Sequence, residues 1–565
     1  MLELEGENRF RINAYRRGAQ SLTHASRSVE ELAAEGALGS IPGIGKDLSS
    51  KILEYIETGT IQYLEELREK TPDILLEMLR IPGVGPKTSL IIYEGLGIES
   101  LEELARAARE HRLRELPKIK AKTEQNILEG IEFLRRTGDR MLLGTAYPLA
   151  SRIVSSLSEL DAAREVSFAG SLRRMRETVG DIDILISSND PAAIIDHFIG
   201  LDMVDRILAK GTTKGSVVTK NHVQVDLRVV PPESFGAALN YFTGSKEHNI
   251  RLRELAQQKG MKLNEYGLFE QSRPGKERRL AGATEEEVYE GLGLPFIPPE
   301  MREDTGEIEA AASGELPRLV SPEEIRGDLH VHSDWSDGVS SLKDLVRFGR
   351  GRGYKYILVS DHSKGLKIAH GLSEYRLRKQ IEEIDRINEK TRGFRLLKGS
   401  EVDILPDGSL DMSDRLLSEL DIVIVAVHSR FKMKRKEMTE RVVRAVEHPY
   451  SSILAHPTGR LIGERDAYQI DLDAVFEAAA ATGTAIEINA HPSRLDLGAA
   501  SARRAAERGV LLSIGTDSHD PALEFDHMRY GVGTARRAWL TADRILNTRT
   551  LRSLRSSIRS KRKKH

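Results

Sequence analysis

Six times in the second half of the chain, a short apolar run meets a histidine or an acid at its end. Asp328-Leu-His-Val-His332 leads to Asp337, Tyr354-Lys-Tyr-Ile-Leu-Val-Ser360 to Asp361-His362, and Gly399-Ser-Glu401 opens Val402-Asp-Ile404. Asp421-Ile-Val-Ile-Val-Ala-Val427 ends at His428, Ser452-Ile-Leu-Ala455 at His456, and Val510-Leu-Leu-Ser-Ile-Gly515 leads to Asp517-Ser-His519. Charged helical segments separate the runs. That alternation predicts an α/β barrel or a layered α/β domain beyond Ile325. The carboxyl ends of parallel strands share one rim, so residues far apart in sequence meet there. Six of the chain's 16 histidines occupy such strand ends beside Asp337, Glu401 and Asp517. Imidazole and carboxylate together suit zinc, manganese or iron. Nine ligands exceed the needs of one ion and point to a cluster that activates water and clamps a phosphate. With no cysteine in the chain, any metal site must use His, Asp and Glu, and thiolate zinc, disulfides and cysteine nucleophiles are excluded.

A different constellation lies in the first half. Residues 168–185 read Phe-Ala-Gly-Ser-Leu-Arg-Arg-Met-Arg-Glu-Thr-Val-Gly-Asp-Ile-Asp-Ile-Leu. Side chains two apart on a strand face the same way, so Asp181 and Asp183 converge on one side of a sheet. Asp226, in Val223-Gln-Val-Asp-Leu-Arg-Val-Val230, fits the same face. Hard oxygen ligands beside a Gly170-Ser171 turn and Arg174 are what a magnesium-bound triphosphate requires. Three carboxylates can hold two divalent ions.

The N-terminal region carries an internal repeat. Ile41-Pro-Gly-Ile-Gly-Lys46 and Ile81-Pro-Gly-Val-Gly-Pro-Lys87 each precede a helical pattern, and Leu116-Pro-Lys-Ile-Lys-Ala-Lys122 reads as a third copy with both glycines replaced by lysine. Such a hairpin lets backbone approach an anion at Gly43, Gly45, Gly83 and Gly85, with Lys46 and Lys87 alongside. The segments resemble the helix-hairpin-helix motif, which grips DNA phosphates without reading bases. The third copy is expected to keep the shape and to bind phosphate poorly.

At 565 residues the chain needs several cores, and 39% hydrophobic with 30% charged residues describes an ordinary globular protein. No apolar run reaches the length of a membrane span, and the lack of cysteine suits a reducing cytoplasm. The net charge of −2 is unevenly spread. Residues 551–565 hold seven Lys or Arg and no acid, which reads as either a phosphate-binding or a solubilising tail. Residues 303–324 are acidic and poor in large apolar groups and read as a linker.

Taken together, these residues resemble the prokaryotic family X DNA polymerases that carry a C-terminal PHP (polymerase and histidinol phosphatase) domain. The resemblance covers the whole chain. It implies a multidomain α/β protein: a helix-hairpin-helix domain over 1–75, fingers with the second and third hairpins over 76–137, and a nucleotidyltransferase palm with a mixed sheet over 138–235. An α+β thumb over 236–302, a linker over 303–324, a PHP distorted (β/α) barrel over 325–540 and a basic tail over 541–565 complete it. By the same resemblance Asp181 and Asp183 hold two Mg2+ or Mn2+ ions, and Asp226 binds the catalytic one and helps deprotonate the primer 3′-hydroxyl. Gly170, Ser171, Arg174 and Gly180 meet the incoming triphosphate. Tyr241, Phe242 and Gly244 face the sugar, and Asn249 and Arg253 reach the new base pair through the minor groove.

In the C-terminal half, His330, His332, Asp337, His362, Glu401, His428, His456, Asp517 and His519 match all nine ligands of a site for up to three Mn2+, Zn2+ or Fe2+ ions. The implied activities are gap-filling DNA synthesis in repair and 3′–5′ exonuclease action, on gapped or nicked duplex DNA with dNTPs, by a cytoplasmic monomer. Two alternatives stay open: a PHP barrel serving as a non-catalytic scaffold, and a template-independent nucleotidyltransferase. Two departures from the family also stand. The family usually has one more helix before the segment matching Leu4-Glu-Gly-Glu-Asn8, so an apolar face is expected to lack its partner there. Lys51 matches the Schiff-base lysine of eukaryotic repair members, yet Ser40 and Asp47 replace their basic neighbours, which favours a phosphate contact or a surface role over lyase chemistry.

Overall fold

In the computed structural model of the chain, the residues described are 1–23, 29–41, 43–79, 81, 84–137, 140–273 and 276–562. They divide into two units, Met1–Gly138 with Gly463–Arg465, and Asp139–Ile462 with Asp466–His565.

The first unit is helical, and its three hairpins share one backbone pattern. Ile44 N–H donates to the Ile41 carbonyl (3.0 Å), Val84 to Ile81 (3.0 Å) and Ile119 to Leu116 (3.2 Å). The first two turns bury both apolar residues and the third buries Ile119 with Leu116 half-buried, which seeds one small core around Ile41 and Ile44 and another around Ile81, Val84 and Ile119. Helices α1 (Lys46–Thr58), α2 (Pro86–Leu96) and α3 (Ala121–Thr137) follow the three turns. Gly43 has φ +82, and in the third copy Lys118 takes the same left-handed conformation at φ +66. A lysine there is strained but keeps the turn.

The second unit begins with a five-stranded sheet. Its strands are β1 (Glu165–Phe168), β2 (Ile182–Ser187), β3 (Val204–Lys210), β4 (Lys214–Thr219) and β5 (Gln224–Val230), in the order β1-β2-β5-β4-β3. Only the central β2–β5 pair is parallel, and its register sets Asp183 opposite Asp226. The short helix α4 (Gly170–Arg173) bridges β1 and β2. Helices α5 (Phe235–Thr243) and α6 (Lys246–Gln258) lead to an antiparallel sheet of β6 (Met261–Asn264), β7 (Gly267–Arg273) and β8 (Lys276–Ala281), then to α7 (Glu285–Gly291).

Where a linker was expected, residues 303–324 hold helix α8 (Glu307–Ser313). Ile308, Ala311 and Leu319 join the core of the preceding α+β region. Glu307 is fully buried, with an oxygen 2.7 Å from Nδ1 of the equally buried His248. Composition misled because the segment is held by a buried Glu307–His248 hydrogen bond and by small residues such as Ala311 rather than by large apolar side chains.

The barrel strands run in sequence order and are all parallel: β9 (Gly327–Val331), β10 (Tyr356–Val359), β11 (Arg395–Asp403), β12 (Ile422–Ala426), β13 (Ile453–Leu454), β14 (Ala485–Asn489) and β15 (Leu512–Gly515). Successive side chains enter different apolar layers, Ile357 and Val359 one, Tyr356 and Leu358 the other. Strands buried on both faces read as continuous apolar runs, which is why they stand out in the sequence. A parallel bridge from Val331 to Ser518 brings the first strand to the last. Helix α9 (Met528–Arg537) packs across the end of the barrel.

As far as residue 562 the basic tail is not a frayed extension. Asn547 is buried between the first and last strands, donating to the Gly327 (2.9 Å) and Ile514 (2.7 Å) carbonyls and accepting from the Ile514 N–H (2.7 Å). Helix α10 (Leu551–Arg562) then buries Leu554 and Ile558 against Leu329, Tyr356 and Leu358. Each such burial contributes roughly 2 kcal/mol. The run of charge concealed an apolar stripe at helical spacing, so the barrel fold extends to residue 562.

Candidate active sites

In the palm, Asp183 rises from β2, Asp226 from β5 and Asp181 from the turn just before β2. Ligand oxygens of the three lie within 4.8 Å of one another. Burial pushes the Asp183 carboxyl up, and the charges of Asp181 and Asp226 push it further, to about 7, against the pull of Lys214 and Arg174. A cluster of three carboxylates with so little cationic relief fits divalent ions. Ser216, opposite Asp226 on β4, donates its hydroxyl to Asp226 Oδ1, and Gln224 Nε2 reaches Oδ2 at 3.3 Å.

Gly170 starts α4 at φ +61, and a Cβ there would lie 2.3 Å from Asp183 Oδ2. Glycine is therefore required for the anion-facing turn to approach the carboxylates. Ser171 is half-buried on α4, and Gly180 immediately precedes Asp181, beside Arg140. Arg174 donates from Nε to Glu303 (3.0 Å) and from Nη1 to the Thr243 carbonyl.

The Tyr241–Phe242 pair packs edge to face at 5.1 Å between centroids, and the Arg228 guanidinium lies over Phe242 at 4.8 Å. Helix α5 is locked by Asn240, which accepts from Tyr289 (3.1 Å) and Arg302 (3.3 Å). Arg173 bonds Thr243 Oγ1 (2.7 Å) and grips Glu285 through both carboxylate oxygens. Gly244 ends α5 at φ +70. Asn249 and Arg253 sit one turn apart on α6, the first half-buried and the second exposed, with Asn249 Nδ2 donating to the Tyr241 carbonyl (2.6 Å).

The raised pKa of Asp183 carries a stability cost. Between pH 4 and 7 folded Asp183 holds a proton that the unfolded chain has released, so stability falls as pH rises through that window. The shift corresponds to an order of 3–4 kcal/mol in the metal-free protein. D183N melts in EDTA are expected to lie a few degrees above the parental protein at pH 8 and to coincide with it at pH 4. A parental protein as stable as D183N at pH 8 contradicts the raised carboxyl.

At the barrel rim all nine strand-end residues converge. His332, Asp337, His362 and His519 form one group, His330, His332 and Asp517 a second, and His362, Glu401 and His428 a third. Glu401 is the hub, with Oε1 2.7 Å from His456 Nε2 and 3.3 Å from His428 Nε2, and Oε2 2.9 Å from His362 Nδ1. His330 Nε2, His332 Nδ1, His362 Nδ1 and Glu401 Oε2 are buried and make no well-aligned hydrogen bond, the 2.9 Å approach of His362 Nδ1 to Glu401 Oε2 being poorly oriented for one. Orphaned donor atoms aimed at one another are what a metal cluster leaves behind, and the residues fit one.

Burial lowers His332 to about 3, helped by the neighbouring imidazoles. For His362 and His428 burial also pulls down, but Glu401 and its fellow carboxylates win, raising them to about 10 and about 9. Three partners were missed in the sequence. His330 Nδ1 lies 2.7 Å from Glu487, His428 Nδ1 2.6 Å from Asp403, and Asn489 Nδ2 donates to Asp517 (3.1 Å). Such contacts orient ligand rings. Glu487 and Asn489 were detectable as polar residues at same-face spacing in the fully buried strand β14.

In the helical unit, α1 and α2 start at Gly45 and Gly85 with no side-chain cap, so their first N–H groups are free for an anion beside Lys46 and Lys87. Gly83 lies outside the described residues. Lys51 pairs with Asp47, stands 5.4 Å from the Tyr63 ring and lines a cavity of about 470 Å3 with Tyr15, Arg16 and Leu64. Burial pulls its amine down, but Asp47 and Tyr15 together outweigh it and hold the pKa above that of a free lysine, the opposite of what a Schiff-base nucleophile needs.

Fold and sites together define a nucleotidyltransferase-type palm and thumb joined to a histidine-rimmed phosphoesterase-type barrel. Residues 1–61 match the family model of a helix-hairpin-helix domain, 75–132 that of a SAM-like helix-hairpin-helix tandem, and 238–303 that of the DNA polymerase beta thumb. The chain is 39% identical over 560 residues to the DNA polymerase/3′-5′ exonuclease PolX of Bacillus subtilis (strain 168), covering 99% of this chain and 97% of that protein. It is 28% identical over 292 residues to DNA polymerase lambda of Rattus norvegicus, 47% of this chain and 48% of that one. A probable phosphatase of Thermoanaerobacter sp. (strain X514) is 29% identical over 235 residues, 39% of this chain and 89% of the relative. The chain belongs to the family X DNA polymerases that carry a C-terminal PHP domain.

Proposed function

We propose that the chain fills short gaps in duplex DNA during repair and trims 3′ ends with its barrel, acting as a cytoplasmic monomer. The observation that carries this reading is the presence of two separate ligand clusters in one chain, three carboxylates in the palm and nine residues at the rim. When bound, two Mg2+ or Mn2+ ions in the palm and up to three Mn2+, Zn2+ or Fe2+ ions at the rim supply Lewis acidity and charge neutralisation.

Asp181 and Asp183 hold the palm ions, and Asp226, with Ser216 on one oxygen, helps take the proton of the primer 3′-hydroxyl. Ser171, Arg174 and the backbone at Gly170 and Gly180 bind the triphosphate. Tyr241, Phe242 and Gly244 face its sugar, and Asn249 and Arg253 test the new pair in the minor groove. Gly43, Gly45, Lys46, Gly83, Gly85 and Lys87 hold DNA phosphates, and Lys51 adds a phosphate contact. At the rim, His330, His332, Asp337, His362, Glu401, His428, His456, Asp517 and His519 hold the ions, with Glu487 and Asp403 orienting two of the rings.

The test is a one-nucleotide gapped duplex with a labelled primer, given Mg2+ and Mn2+ separately. Addition of the single templated nucleotide, and primer shortening with Mn2+ when dNTPs are withheld, are expected. Extension regardless of the template base points to a template-independent transferase, and an intact primer in Mn2+ to a barrel that only scaffolds.

A further inference from the structure

Helix α9 belongs to the barrel, yet one side of it presses on the palm turn that follows α4. A Cβ at Gly533 would stand 2.6 Å from Met175 Cε, so the glycine makes room for Met175, itself at φ +54. One turn further along, Arg537 Nη1 donates to the Arg174 carbonyl (2.9 Å) and to Glu303 Oε1 (2.8 Å). The same oxygen accepts from Arg174 Nε (3.0 Å), and the other from Arg176 (3.2 Å). The side chains of Arg174 and Arg537 are only 13% and 11% exposed, so these bonds are little screened by water. One carboxylate thus serves three guanidiniums, and of these Arg174 is near enough to Asp183 to draw its carboxyl down.

We propose that Arg537 and Glu303 are positioning residues for Arg174, so that nucleotide binding in the palm depends on the docked barrel. The proposal rests on the reading of Arg174 as a triphosphate contact. Arg537 occupies Glu303 from one side and fixes the backbone of Arg174. Without it, Glu303 is free to form a two-oxygen fork with Arg174 and to compete with the incoming phosphate for that guanidinium.

The experiment measures dNTP KM and kcat for gap filling with parental protein, R174M, R537M, R537K, E303Q and R174M/R537M. R537M and E303Q are expected to raise KM roughly tenfold with kcat within about twofold, the scale of one charged hydrogen bond. R537K should recover part of the loss, R537M should degrade 3′ ends at the parental rate, and R537M should add nothing in the R174M background. An unchanged KM for R537M beside a raised KM for R174M overturns the proposal alone. Equal KM increases from R537M in both backgrounds do the same, because the residue then acts independently of Arg174. A parental KM for R174M removes the triphosphate assignment and this proposal with it.

Discussion

Replacing Asp181 and Asp183 together with alanine is expected to remove templated incorporation while 3′-end degradation persists. Synthesis should fall by roughly a thousandfold or more, the scale on which groups aimed at developing charge act. The three palm carboxylates lie within 4.8 Å of one another, and the double change leaves only Asp226. Loss of the fold is not expected to confuse the result. Burial and its two neighbours already hold Asp183 up at about 7, so removing charge there relieves repulsion in the metal-free protein. The barrel's main apolar core is separate from that of the palm, which only Leu495 and Tyr530 of the C-terminal half enter as buried members, so the second activity should survive. Primer extension and primer degradation on the same labelled duplex check both halves, and nucleotide incorporation by the double variant would refute the palm assignment.

The converse variant is E401Q. Glu401 is fully buried and meets His456, His428 and His362 within 3.3 Å, so it touches more of the rim than any single histidine does. Its loss is expected to lower 3′-end degradation by roughly three orders of magnitude, and bound manganese with it, while gap filling stays at the parental level. Retained primer degradation by E401Q with a normal metal content would sink the assignment.

The same carboxylate sets a pH dependence. Burial opposes the charge on His362 and His428, yet Glu401, with Asp337 at His362 and Asp403 at His428, overcomes it and keeps them protonated up to about 10 and about 9. Those protons must leave before the rings accept a cation, so metal affinity should rise with pH through that range, with proton release visible by calorimetry in buffers of different ionisation enthalpy. In the metal-free protein the sign for stability is the reverse. The attraction is complete below the unfolded histidine value and is lost as pH rises through about 9 to 10. E401Q should therefore destabilise the metal-free barrel at pH 6 more than at pH 10.

Much of this chemistry was legible before any coordinates. The nine rim residues stand at strand ends because strands buried on both faces read as unbroken apolar runs, and where such a run stops, the rim begins. The two-residue period of a strand suggested that Asp181 and Asp183 share a side; the structure keeps them together but leaves Asp181 in the turn before β2, and the hairpins follow from turn chemistry that only glycine satisfies cheaply. The copy at Leu116–Lys120 shows the limit of that last rule, since Lys118 holds a left-handed conformation that the sequence pattern assigns to glycine.

What the chain alone determined was thus local: strands, turns and the residues that end them, each set by steric rules spanning a few neighbours. Only the tertiary structure decided which charged residues are buried and with whom. Glu307 with His248, Glu487 with His330, and Glu303 shared by Arg174 and Arg537 are pairs 59, 157, 129 and 234 residues apart. A carboxylate in a hydrophilic segment looks solvated until its partner is known, because burying a charge is tolerable only where an opposite charge and hydrogen bonds await it. For that reason residues 303–324 and 541–562 read as linker and tail, yet fold as part of the protein.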